Sequence, residues 1–160
     1  MMMAEIYNIA PATQVMRVKS KALGLIWRDS DLLLEEVREP DGTHIGYRPL
    51  GGNIEFGEKS WEALEREFME ELGEDIKIAK LHSVIENIFE WGGEARHEIA
   101  FMYEANLLQH STYDEDEVIR MDVSNGGQLK TAYWKNPFDL PAGSKLLPSA
   151  LLARLQDKGE

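Results

Sequence analysis

The order of elements in the sequence predicts an α/β fold, a mixed β-sheet with helices on both faces. Three observations predict it: five stretches of strand character separated by turn residues, one strongly periodic helix among them, and a second apolar helical stretch near the end. With 160 residues, 43% of them hydrophobic, the chain suits one globular domain with one sizeable core, expected over 16–160. No internal repeat, low-complexity tract or long linker divides it.

Each element has its own signal. Strands are expected over 16–27 and 32–37, with Asp29-Ser30 as a tight hairpin and Pro40-Asp41-Gly42 as a longer turn. Tyr47 to Leu50 reads as a strand end running into Gly51-Gly52. A helix is expected over about 60–72, because Trp61, Leu64, Phe68 and Leu72 recur at spacings of three and four and form a buried stripe. Gly57 breaks the chain before it, Ser60 fits the N-cap, and Gly73 fits the left-handed residue that ends it. Further strands are expected over 76–88 in one or two pieces, 97–105 and 129–134, with turns at Trp91-Gly92-Gly93 and Asn125-Gly126-Gly127. After Pro148, the run Ala150 to Leu155 has helical composition and packs as a terminal helix. Residues 1–15 are read as a tail or as an edge strand pairing with another subunit, which would suit a homodimer.

The middle helix carries the chemistry. Glu67, Glu70, Glu71 and Glu74 share a face beside the buried stripe, with no lysine among them. Like charges at those spacings each cost about 0.2–0.5 kcal/mol in an exposed helix, and Arg66 neutralises one or two at most. Hard carboxylate oxygens suit magnesium, manganese or calcium, and magnesium is commonly shared between a few carboxylates and the phosphates of a substrate. Arg66 has two readings at this stage: a support for neighbouring carboxylates, or an ordinary helical ion pair with Glu62 or Glu70.

The segment from Gly52 to Glu74, GNIEFGEKSWEALEREFMEELGE, resembles the signature of the Nudix hydrolases, the MutT-like superfamily. The matching positions are Gly52, Glu58, Arg66, Glu67, Phe68, Glu70, Glu71 and Gly73; Glu74 departs, since a hydrophobe is expected there, and Ile76 is placed to take over its packing. The resemblance implies a Nudix-type α/β/α sandwich. It implies a metal-dependent hydrolase, with Mg2+ or Mn2+ as cofactor, that cleaves the pyrophosphate linkage of a nucleoside diphosphate joined to another group. Glu67, Glu70 and Glu71 would be the metal ligands, with the backbone carbonyl of Gly51 or Gly52 as a further one. Arg66 and Glu58 would support them from behind, a kind of partner worth about 10–100-fold in affinity or activity. The general base would come from the motif helix or from a later acidic loop, where Asp114 to Glu117 offer Glu115 or Glu117 slightly ahead of Glu71.

Substrate choice is less legible. Arg48, with Lys19 or Lys21, is a candidate for holding phosphate, and Phe89 and Trp91 for stacking on a base, with Tyr47 and Trp134 as further aromatics. The ADP-ribose subgroup of the family would place a proline where this chain has Ile88. An alternative is a non-catalytic Nudix-fold module that binds nucleotides or regulates a partner. An isomerase of isoprenoid diphosphates on the same fold would use a cysteine, and the chain has none.

Composition sets the remaining limits. The absence of cysteine excludes disulfides and a cysteine nucleophile, and fits a reducing cytoplasm. No apolar run reaches the ~18 residues of a membrane span, and the start lacks a basic segment followed by a hydrophobic one, so a cytoplasmic, unexported protein is expected. A net charge of −12 argues against a long nucleic acid as partner. A small phosphorylated nucleotide needs only a local patch of positive charge.

Overall fold

The structure is a computed structural model that describes residues 16–157. The N-terminal tail or edge strand, and the subunit pairing imagined for it, lie outside the described residues.

Among the described residues ten strands and two α-helices follow one another as β1 (Val18–Leu25), β2 (Trp27–Arg28), β3 (Asp31–Arg38), β4 (His44–Pro49), β5 (Gly51–Asn53), α1 (Ser60–Leu72), β6 (Ile76–Trp91), β7 (Glu94–Leu107), β8 (Glu117–Asp122), β9 (Gln128–Lys135), β10 (Lys145–Leu146) and α2 (Leu151–Gln156). They form two mixed sheets, one ordered β5-β1-β7-β6 and the other β10-β4-β3-β9-β8, with β2 on β3. The parallel pairs are β1 with β7 and β10 with β4. The expected α/β class with a mixed sheet holds, and the strands divide between two sheets.

Alternation along the strands splits the interior into two cores. Ala22 of β1 and Leu33 of β3 join Leu64 and Phe68 of α1 in one cluster. Leu23, Leu25, Leu32 and Leu34 face the other way and pack with Ile85, Met102 and Leu151 of α2 in the second. A period of two thus turns neighbouring residues of one strand into opposite layers, which places α1 and α2 on different faces.

Two expectations for α1 need correction. Ser60 is the first helical residue and its hydroxyl meets Tyr103 Oη at 2.5 Å, whereas Lys59 holds the cap and its backbone N–H donates to Glu62 at 2.8 Å. Trp61 lies 41% exposed with the Lys59 ammonium 5.8 Å from its ring, and Ala63 takes the buried place beside Leu64 and Phe68. Gly73 ends the helix at φ 66° as expected.

The two-glycine turn Gly92-Gly93 closes β6 and β7 into a long hairpin. Its tip is tied to the β3–β4 turn: Trp91 Nε1 donates to the Arg38 carbonyl at 2.9 Å and Gly92 N donates to Glu39 at 2.8 Å. Among the described residues no helix is long and apolar enough to cross a membrane.

Glu74, where a hydrophobe was expected, is only 3% exposed; Thr112 donates to one of its oxygens at 2.6 Å and the other has no partner. Burial pushes its pKa above the usual carboxylate range. The folded state therefore holds this proton more tightly than the unfolded chain, so the contribution to stability is full below the unfolded value near 4.5 and is lost as pH rises above it. Glu74→Gln should accordingly gain stability relative to wild type on going from pH 4 to pH 8, read as a growing difference in urea midpoint; an unchanged difference would disprove it. Ile76 is buried in the α1-side core, as the packing argument required.

Candidate functional site

A cleft of about 1340 Å³ runs between the sheets and past α1, and Glu67, Glu70, Glu71, Gly51, Gly52, Arg66, Arg48, Phe89 and Trp91 all line it. Sequence reasoning from spacing alone placed the acidic face at the edge of the core, and the structure brings it there because Leu64 and Phe68 anchor the adjacent face.

Arg66 is the hub of the acidic end. It grips Glu58 with two nitrogens at 2.7 and 3.0 Å, reaches Glu67 at 3.0 Å and Glu70 at 3.3 Å, and donates to the Asn53 carbonyl at 2.9 Å. The two readings of Arg66 coexist: the helical ion pair with Glu70 forms, that with Glu62 does not, and the same guanidinium also joins the β5 turn to Glu58 and Glu67. The Glu58 hydrogen bonds hold Arg66 firmly in its charged form, and Arg66 in turn draws the Glu58 pKa down. Arg66→Lys keeps the charge but not the fork. It should weaken Mn2+ binding in a calorimetric titration by about 10–100-fold.

Glycine at 52 is required by close approach. A Cβ there would fall inside the Glu67 carboxylate, whereas at Gly51, with φ 148°, it would strike the Ala22 carbonyl of β1. Gly52 thus leaves a cradle in which the Glu67 carboxylate lies against β5.

The carboxylates are short of positive charge. Burial raises the pKa of Glu67 against the opposing pull of Arg66, and burial followed by the nearby Glu35 pushes Glu71 up to about 8. Among the described residues no three acidic or histidine side chains are drawn into a metal-binding group, because Arg66 pulls on Glu67 and Glu70 while Glu71 faces Arg120 at 3.8 Å. The donor set itself fits a hard divalent cation: three carboxylates at one end of a cleft, one of them cradled on a glycine backbone.

Glu115 and Glu117 do not reach the site. Both are exposed, and the cleft lining includes none of 114–117. In β8 the inward face carries Val118, Arg120 and Asp122, so Glu117 points away with Ile119. Arg28 fixes the preceding turn by donating to the carbonyl oxygens of Tyr113 and Glu115.

The basic lining was only partly foreseen. Arg48 Nε donates to Glu35 at 2.5 Å, and Arg120 pairs with the other oxygen of the same carboxylate. Glu35 and Arg120 are 4% and 6% exposed, and neither was singled out in the sequence. The available signal was a charged residue at an inward position of an alternating strand. Glu35 holds Arg48 in its charged form, and burial, with Arg48 next, lowers the pKa of Lys21, which Glu98 counters at 3.3 Å.

Of the aromatic candidates, Phe89 and Trp91 line the cleft, with the Arg96 guanidinium 5.3 Å from the Trp91 ring. Trp134 is instead buried against Tyr113, and Tyr47 packs on His44 and Tyr133.

Comparison with known proteins agrees with this architecture. The family model described as NUDIX domain matches residues 19–137. No curated protein sequence matches the chain. Among solved structures, a MutT NUDIX hydrolase from Burkholderia pseudomallei is similar with a TM-score of 0.61 and 24% identity, over 89% of this chain and 99% of the other. A NUDIX family hydrolase from Clostridium perfringens is similar at 0.55 and 18% identity, covering 88% and 96%. An ADP-ribose pyrophosphatase from Streptococcus suis is similar at 0.55 and 16% identity, covering 90% and 95%. These likenesses concern the fold; the family match spans most of the chain. The chain belongs to the NUDIX domain family, whose members are hydrolases acting on pyrophosphate bonds.

Proposed function

We propose that this protein is a divalent-metal-dependent pyrophosphohydrolase that cleaves a nucleoside diphosphate linked to another group. The observation that carries the reading is the shared cleft, which gathers the three motif glutamates at one end and Arg48, Arg120, Phe89 and Trp91 along its walls. Nine of the chain's 17 lysines and arginines line it, beside nine of its 29 aspartates and glutamates, so the lining is balanced although the whole molecule carries −12. A small polyphosphate finds there the cations that a long nucleic acid would need over a wide surface.

Glu67, Glu70 and Glu71 would hold Mg2+ or Mn2+, with a backbone carbonyl of Gly51 or Gly52. When bound, such an ion supplies charge neutralisation of phosphate oxygens and a more acidic water. Arg66, braced on Glu58 and Asn53, sets the positions of Glu67 and Glu70. Arg48 binds substrate phosphate, and Phe89 and Trp91 flank the base or the linked group. Glu71, 11% exposed in its side chain and lining the cleft, takes the place that the sequence had offered to Glu115 or Glu117 and accepts the proton of the attacking water.

The test is a screen with Mg2+ and Mn2+ over nucleoside triphosphates, nucleotide sugars, ADP-ribose, dinucleoside polyphosphates and coenzyme A, read by product identity. Metal-dependent cleavage within a pyrophosphate linkage is expected. Tight nucleotide binding with no turnover across the panel would replace this reading with that of a non-catalytic binding module.

A further inference from the structure

We propose that Arg48 and Arg120, joined through the buried carboxylate of Glu35, form a paired-guanidinium clamp for one phosphate group of the substrate, beside Glu71. The proposal rests on the pyrophosphatase reading for the identity of the ligand, and on separate observations for the clamp itself.

Strand alternation turns Arg120 inward between Val118 and Asp122, and the side chain is 94% buried on the cleft wall. Burial removes water from a group with five N–H donors. Glu35 engages one terminal nitrogen, Nε has no partner, and the other terminal nitrogen stands 3.8 Å from Glu71, beyond hydrogen-bond reach. A buried guanidinium with open donors is costly unless an acceptor completes it.

Glu35 is itself fully used. One oxygen accepts from Arg48 and the other pairs with Arg120, so a single carboxylate is shared between two cations, with Glu71 the further acid near both. Glu71, the next carboxylate, is assigned to the metal ion under the proposed function. The missing acceptor is therefore a ligand that carries negative charge and several oxygens on one centre. A phosphate group has that form, and planar guanidinium forks recognise it through paired hydrogen bonds. Because Glu35 fixes both arginines from behind, the clamp is ordered before the ligand arrives.

The experiment is titration calorimetry of the intact protein with imidodiphosphate, a pyrophosphate mimic that resists hydrolysis, with and without Mg2+. Arg120→Lys keeps the charge and loses the fork, and should weaken binding by about 10- to 100-fold, the range of one or two charge-assisted hydrogen bonds. Glu35→Gln is the sharper variant. It makes the protein more positive, so simple attraction predicts tighter binding, whereas loss of the brace predicts weaker binding. Lys80→Met, a charge change outside the cleft lining, should stay within about twofold of wild type. Wild-type affinity in both Arg120→Lys and Glu35→Gln overturns the clamp, as does failure of the wild type to bind the mimic.

Binding is read without turnover, so the two readings fail separately. A chain that binds through Arg120 and hydrolyses nothing sinks the enzymatic reading alone. A chain that hydrolyses while Arg120→Lys keeps its KM and its affinity for the mimic sinks the clamp alone.

Discussion

Glu67→Gln is expected to lower kcat/KM for any pyrophosphate substrate of this protein by about 10²–10³-fold. In the metal-ligand role proposed for it, this carboxylate would secure several kcal/mol of transition-state charge stabilisation, and each factor of ten is ~1.4 kcal/mol. The fold should survive. Glutamine keeps an oxygen that can accept from Arg66, and Arg66 keeps Glu58 and the Asn53 carbonyl as further anchors. Steady-state kinetics at saturating Mg2+, beside a thermal melt, checks both halves. Near-wild-type turnover with an intact melt would remove Glu67 from the ion.

The second large effect is expected from a single methyl group. Gly52→Ala places a Cβ inside the Glu67 carboxylate, and that carboxylate is the far end of a side chain that can move. It should swing away at little cost in stability and leave the site misaligned by about an ångström, a displacement worth about 10²-fold in rate. Gly51→Ala should behave in the opposite way. Its Cβ meets the Ala22 carbonyl across the β1–β5 pairing, at a backbone angle that favours glycine, and backbone cannot step aside. A destabilisation of about 1–3 kcal/mol is expected there. At this chain length that is about 2–4 °C of Tm per kcal/mol. If Gly52→Ala instead unfolds the protein while Gly51→Ala is silent, the assignment of these two neighbours is reversed.

How far the sequence could be read depended on whether a residue's signal was local. The limits of α1 were legible because apolar spacing and Gly73 act within one helix, and Arg66 with Glu58 was legible because a recognised pattern carries spatial information. Ser60 misled because a serine at a helix start is the ordinary cap, whereas here Tyr103 of β7, 43 positions away, claims its hydroxyl. Strand β8 was hidden for a related reason. Its inward face mixes Val118 with Arg120 and Asp122, and its outward face shows Ile119 and Met121, so hydrophobic alternation is inverted at four of its six positions. The same inversion concealed the Glu35 pairing with Arg120. Two opposite charges make each other tolerable in the interior, and nothing in either strand alone announces the partner.

The balance of charge within the cleft also governs how a charged substrate gets in. Outside the cleft the excess of acid repels an anion at long range, while within it the charges balance and individual arginines hold the anion at close quarters. At about 0.01 M salt the repulsion extends ~30 Å, and at about 0.1 M it is cut to ~10 Å. Moderate salt therefore lowers the barrier at the approach before it weakens the grip within. Capture speed should climb and then decline as ionic strength increases, so that this molecule works fastest in neither dilute buffer nor brine.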